Sequence, residues 1–202
     1  MKRHFVSLAV AALLASGPVF AQQSQTTTAT PGTTVNDRRE NQQDRIANGV
    51  QSGQLTAGET KNLESREANL DREVRDDRKA DNGRLTTQER SQVNRQQNNL
   101  SKSIYQDKHN AAQAHYGNNE VGQRRENQQD RVAQGIRSGQ MAPGEVARTE
   151  NREQGINQQI HADRQANGRK LTGGEKAQIN REQNGASRQI YREKHNNKVA
   201  PK

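Results

Sequence analysis

Beyond residue 36 the sizeable apolar residues recur at spacings of seven and four: Leu63, Leu70 and Val74, then Val93, Leu100 and Ile104. That spacing lays them along one stripe of a helix. It does not fit the alternation of a half-buried strand. The stripe is narrow, with Arg, Gln, Asn and Glu on the other positions. Helix punctuation separates the stripes. Gly53 and Gly83 suit the left-handed residue that closes a helix. Thr56 and Thr86 then stand as N-caps, with Glu59 and Glu89 three residues on, the spacing of a capping box. Thr172 and Glu175 repeat it. At the third loop Ala142 and Pro143 replace the capping residues while Glu145 stays, and Pro is tolerated in a first helical turn. The pattern predicts helices over about 37–51, 57–79, 87–109, 123–137, 143–165 and 173–195.

The chain repeats itself. RRENQQDR occurs at 38–45 and again at 124–131, and the 86-residue offset runs without a gap to Lys108-His109-Asn110 and Lys194-His195-Asn196. About 35 of the 73 aligned positions are identical, which marks a tandem duplication. A fainter repeat of 30 residues is read inside each copy, as where Ser52-Gly53-Gln54-Leu55-Thr56 with Glu59 matches Asn82-Gly83-Arg84-Leu85-Thr86 with Glu89. The fold expected is all-α: two tandem copies of a three-helix unit joined by short capped turns. The copies span 37–110 and 124–196, with a linker at 111–123 broken at Gly117-Asn118-Asn119 and a tail at 197–202.

Residues 1–21 have the form of a secretory signal peptide. Lys2, Arg3 and His4 give a positive start, Val6–Ala15 a short apolar run, and Val19 and Ala21 the small residues of a cleavage site. The run is too short to span a bilayer, so no stable membrane insertion is expected after cleavage. Residues 22–36, QQSQTTTATPGTTVN, hold little apolar surface and are expected to form a disordered leader. This start implies a bacterial protein that works in the periplasm or is secreted.

Composition narrows the function. Of 202 residues 27% are hydrophobic and 2% aromatic, and mean hydropathy is −1.32. Such a chain is neither a polytopic membrane protein nor suited to a large enzyme core. Each copy holds about a dozen sizeable apolar residues, few to offset roughly 1–2 kcal/mol of backbone ordering per residue. The copies are therefore expected to stabilise each other or a homodimer. There is no Cys, hence no disulfide staple and no thiol nucleophile. GxSxG, HExxH and P-loop patterns are absent, and no catalytic, cofactor-binding or metal residue is assigned. Asp71, Arg72, Glu73, Arg75, Asp76, Asp77 and Arg78 read as a solvated helix face with i, i+4 pairs.

Net charge is +9. The Arg residues are interleaved with acids and lack aromatic platforms for stacking bases, so specific nucleic-acid binding is not expected. An exported basic protein meets acidic envelope components instead, or a second copy of itself. Tyr105 and Tyr191 are the large rings inside the repeats and are expected to be packing anchors. Lys and His beside them, in a last helical turn, complement the helix dipole, and Asn110 and Asn196 can stop the helix. His109, His115, His161 and His195 form no i, i+4 pair of metal-ligand type.

The loops Asn48–Glu59, Arg78–Glu89 and Gln134–Glu145 resemble degenerate EF-hands, with Gly at the sixth place, an apolar residue at the eighth and Glu at the twelfth. Their first and third places hold Asn48 and Val50, Arg78 and Ala80, Gln134 and Ile136, and the fourth loop has Arg169 where Gly belongs. The ligand set of a hard dication is therefore missing, and calcium or metal binding stands as the alternative reading. RRENQQDR, SGQLTAGE and IYREKHN resemble segments of uncharacterised, exported, Arg/Gln-rich helical repeat proteins of Gram-negative bacteria. That resemblance implies the compartment and little else. The function expected is a structural or interaction role in the envelope, without enzymatic activity, with binding of anionic envelope polymers as a further alternative.

Overall fold

The structure, a computed structural model, describes residues 34–198. The expected signal peptide and the leader up to residue 33 lie outside the described residues. Among those described there are six helices and no strand: α1 (Val35–Gln51), α2 (Ala57–Ala80), α3 (Thr87–Lys108), α4 (Glu120–Arg137), α5 (Pro143–Ala166) and α6 (Gly173–Lys194). The protein is all-α. No helix among the described residues is long and apolar enough to cross a membrane.

Caps set the starts. Thr56 N donates to Glu59 Oε2 at 2.8 Å, and Glu59 N donates back to Thr56 Oγ1 at 3.3 Å. Thr86–Glu89 and Thr172–Glu175 close the same box. At α5 the methyl of Ala142 cannot accept, so only the reciprocal bond forms, Ala142 N to Glu145 Oε2 at 3.0 Å, with Pro143 in the first turn. Two starts differ from expectation. Thr34 and Asp37 form a further capping box, so α1 begins inside the expected leader. Asn119 accepts from Gly122 N at 3.1 Å, so α4 begins inside the expected linker. Neither start has apolar periodicity, so the sequence pattern does not mark it.

The first three helices and the last three pack through their longest members. Gly58 meets Gln154 and Gly144 meets Ala68, so α2 and α5 run antiparallel. Lys61 Nζ donates to Gln154 Oε1 across this seam at 2.8 Å. α1 lies on α4, where Arg137 donates to Asn48 Oδ1 at 2.8 Å and Gln51 Oε1 at 2.9 Å. α3 covers α1 and α2, and α6 covers α4 and α5. The central core takes residues from both halves, among them Ile46, Leu55, Leu63, Leu100 and Ile104 with Val132, Met141, Val146 and Ile190. Smaller clusters lie outside it: Leu70, Val74 and Val93 in the first half, Ile156, Ile160 and Ile179 in the second.

Polar side chains do much of the fastening. Gln42 Nε2 donates to Gln97 O at 2.7 Å and to Ser101 Oγ at 2.9 Å, and Gln128 repeats this on Gln183 and Ser187 at 2.8 and 2.9 Å. Gln97 in turn donates to Val35 O at 2.8 Å. Arg38 reaches Asn94 and Asn98, and Arg124 reaches Asn180 and Asn184. Arg45 donates to Ser101 O at 3.1 Å, and Arg131 to Ser187 O at 3.2 Å. The polar half of RRENQQDR thus ties the first helix of each half to its third.

Candidate functional site

The EF-hand-like loops are helix corners. Gly53, Gly83 and Gly139 have φ of 71°, 86° and 70°, the left-handed region that closes a helix without Cβ strain. Both carboxylate oxygens of Glu59 are engaged: Oε2 accepts from Thr56, and Oε1 accepts from Asn110 Nδ2 at 2.6 Å. Glu145 is held likewise by Ala142 N and by Asn196 Nδ2 at 2.9 Å. Among the described residues no three His, Asp or Glu converge to hold a metal ion.

The repeated helix ends have a structural task. Asn110 and Asn196 tie them to those capping glutamates. His109 stacks on Tyr105 with centroids 4.1 Å apart and its Nδ1 lies 2.7 Å from Tyr105 O, and His195 does the same on Tyr191. The tyrosines are not packing anchors: they are 56% and 59% exposed. Ile104 and Ile190, on the stripe itself, are the buried anchors. One further residue turns the side chain about 100° around the helix, away from the core.

A layer of carboxylates runs through the α2–α5 seam. Glu64, Glu67, Glu150 and Glu153 are buried, and so is Asp71, which was expected on a solvated face. Gln43 donates to Glu64 at 3.2 Å, and Gln129 to both oxygens of Glu150 at 3.1 and 3.2 Å. Burial pushes Glu64 and Glu150 well above the ordinary carboxylate range, helped by the neighbouring charges of Glu67 and Glu153 respectively. Burial, then the charge of Asp71, raises Glu67 to about 8, and burial raises Glu153 to about 7 against the pull of Arg125 and Arg152. Arg39 pairs with Asp71 at 3.1 Å, yet burial outweighs that attraction and Asp71 too is raised.

The second half carries an open cleft of about 1330 Å³ between α5, the starts of α2, α4 and α6, and residues 113–121. Gly122 holds that segment close: a Cβ there would collide with the carbonyls of Tyr116 and Gly117. Glu153, Arg125, Asn157 and Tyr116 line the cleft together with Arg164, Arg169, Lys170 and Lys176. Arg125 lies over the Tyr116 ring, 5.2 Å from its centroid. Burial lowers the Arg125 pKa and raises that of Tyr116.

The matching segments 38–110 and 124–196 allow an internal comparison. Arg125 matches Arg39, and Asn157 matches Asp71, so the ion pair of the first half has lost its carboxylate in the second. Acids thin out along the matching stretch: 67–90 holds seven acidic and six basic residues, 153–176 three and four. In the sequence these differences, and not the identities between the two segments, mark the cleft.

Comparison with known protein families, with curated proteins and with solved structures finds no match.

Proposed function

We propose that this chain is an exported, non-enzymatic helical repeat protein of the bacterial envelope that binds an anionic partner. In this reading it consists of two tandem copies of a three-helix unit with short capped turns, behind a signal peptide at 1–21. It works in the periplasm or outside the cell. The resemblance of its RRENQQDR, SGQLTAGE and IYREKHN segments to exported Arg/Gln-rich proteins supports the compartment.

One observation carries the reading. The second-half cleft brings Arg125, Arg164, Arg169, Lys170 and Lys176 together against only Glu120 and Glu153. Glu120 lies 3.9 Å from Arg124 already. A concave site with an excess of one sign of charge concentrates counter-charged ligands. Calcium has weaker support, because the glutamates it needs are occupied by Thr56, Asn110, Ala142 and Asn196.

The test is co-sedimentation of the chain from residue 22 onward with insoluble acidic polysaccharide, cross-linked polygalacturonate, against cross-linked amylose, at low and high salt. Retention on the acidic matrix, released by salt, is expected. Equal retention on both matrices, or on neither, would overturn the reading.

A further inference from the structure

The cleft floor holds polar groups that the fold itself leaves unmatched. Glu153 is 1% exposed, and its Oε1 has no hydrogen-bond partner; nor have Oδ1 of Asn157 and Nε of Arg125. All three residues line the cleft. Among the described residues Arg125 has no carboxylate within ion-pair distance, while Arg39 in the first half is met by Asp71 at 3.1 Å. Arg125 itself is half-buried and feels the charge of Glu153, but its enclosed Nε, like an enclosed carboxylate or amide oxygen, is costly to leave without a partner.

We propose that the second-half cleft binds an acidic saccharide, whose uronate carboxylate takes on Arg125 the place that Asp71 holds on Arg39. This rests on the anionic-partner reading and specifies it. The planar fork of Arg suits a carboxylate in particular. The two orphaned acceptors, Glu153 Oε1 and Asn157 Oδ1, call for donors on the same ligand, and sugar hydroxyls beside a uronate carboxylate supply them. An ammonium would also donate, but Arg164, Arg169, Lys170 and Lys176 around the opening repel it. The same cations attract further carboxylates along an oligomer. Arg169 adds an independent mark. It has φ 69°, where the matching Gly83 has 86°, so a cation stands on the cleft in a conformation that side chains resist.

The experiment is calorimetric titration of the chain from residue 22 onward with trigalacturonate. Maltotriose, inorganic phosphate and a zwitterionic glutamyl dipeptide serve as separate arms. Two variants accompany the wild type: Asn157→Asp, which restores the internal carboxylate, and Arg169→Gly, which removes a cation without straining the turn. Trigalacturonate should bind saturably, and maltotriose should not. Asn157→Asp should weaken trigalacturonate by about tenfold or more, the scale of one charge-assisted pair, with no fall in melting temperature. Arg169→Gly should weaken it about two- to fivefold, as loss of one exposed charge does. Trigalacturonate binding that Asn157→Asp leaves unchanged overturns this assignment while the anionic-partner reading stands. Phosphate or dipeptide binding as tightly as trigalacturonate also overturns it. No binding of trigalacturonate, with retention on the acidic matrix also absent, overturns both.

Discussion

Asn110 Nδ2 donates to Glu59 Oε1 at 2.6 Å, joining the end of the third helix to the start of the second across 51 positions, and Asn196 repeats the bond on Glu145 at 2.9 Å. With Thr56 and Ala142 on the other oxygen, each glutamate is held as a helix cap. A bidentate calcium ligand needs both oxygens free. Millimolar calcium should therefore change neither helicity nor melting temperature, and calorimetry should show no saturable heat. Asn110→Ala should cost about 1 kcal/mol, the net worth of one partly exposed hydrogen bond. A stoichiometric calcium isotherm tighter than millimolar would contradict this.

Loss of a cap and loss of a core residue should differ in size. Thr86 caps α3 at an exposed corner, so Thr86→Ala should cost about 0.5–2 kcal/mol. Leu100 is buried in the central core, so Leu100→Ala should cost about 2–5 kcal/mol. Chemical denaturation measures both. Equal, small effects would mean that the stripe is not a core.

Stability should fall as pH rises from mildly acid to mildly basic. Glu67 and Glu153 titrate near 8 and 7 in the folded protein, and Glu64 and Glu150 lie well above the usual range, all chiefly because they are buried. Unfolded, all four titrate near 4.5. Between those limits the native state holds protons that the unfolded chain has released, so each rise in pH favours unfolding. Hydrogen bonds from their capping threonines lower Asp37, Glu89 and Glu175, which act the other way and lose their contribution only in stronger acid. Melting temperature should peak near pH 5 and drop by roughly 5–10 °C toward pH 9. Glu67→Gln should flatten the slope. A melting temperature constant across that range would contradict the buried-acid account.

Arg169→Gly should raise stability. The residue adopts φ 69° where Gly83 stands in the first half, and a left-handed non-glycine residue costs about 1 kcal/mol. Thermal melts of the variant should shift upward by a few degrees. An unchanged or lowered melt would remove the strain from the account of the cleft.

The helices were legible because their marks are local: Thr56 with Glu59, Thr86 with Glu89, Gly53 and Gly83 at fixed offsets, and a stripe of Leu, Val and Ile. Where those marks are replaced by a cap without apolar periodicity, at Thr34 and Asn119, the helices begin a few residues before the expected starts. The buried carboxylates were not legible as such. Glu64, Glu67 and Asp71 occupy stripe positions beside Leu63, Leu70 and Val74, but a charged residue there reads as surface unless its partner across the seam is known. Gln43 and Arg39 are more than twenty residues away in sequence. The cleft depends on how the segment after residue 110 folds back over α4 and α5, which periodicity does not encode. In the sequence its chemistry is marked by differences between the two matching segments, Asp71 against Asn157, Gly83 against Arg169 and the loss of acids around them.

The shared core implies that neither half is self-sufficient. Ile46, Leu63 and Leu100 pack in one cluster with Val132, Val146 and Ile190. A fragment spanning 34–110 should show weak, broad melting by circular dichroism, and the full chain a single cooperative transition. A sharp, high-temperature melt of the fragment alone would contradict that interdependence.

If the basic cleft binds an anionic partner by charge, the dissociation constant for soluble polygalacturonate, measured by fluorescence anisotropy, depends on salt. Exposed cations are screened beyond about 10 Å at 0.1 M salt, so affinity should fall steeply as salt rises. A Lys170→Ala, Lys176→Ala double variant, which removes two cleft cations, should bind more weakly and with a shallower salt dependence. Affinity that ignores salt, or a double variant indistinguishable from the wild type, would contradict binding by charge.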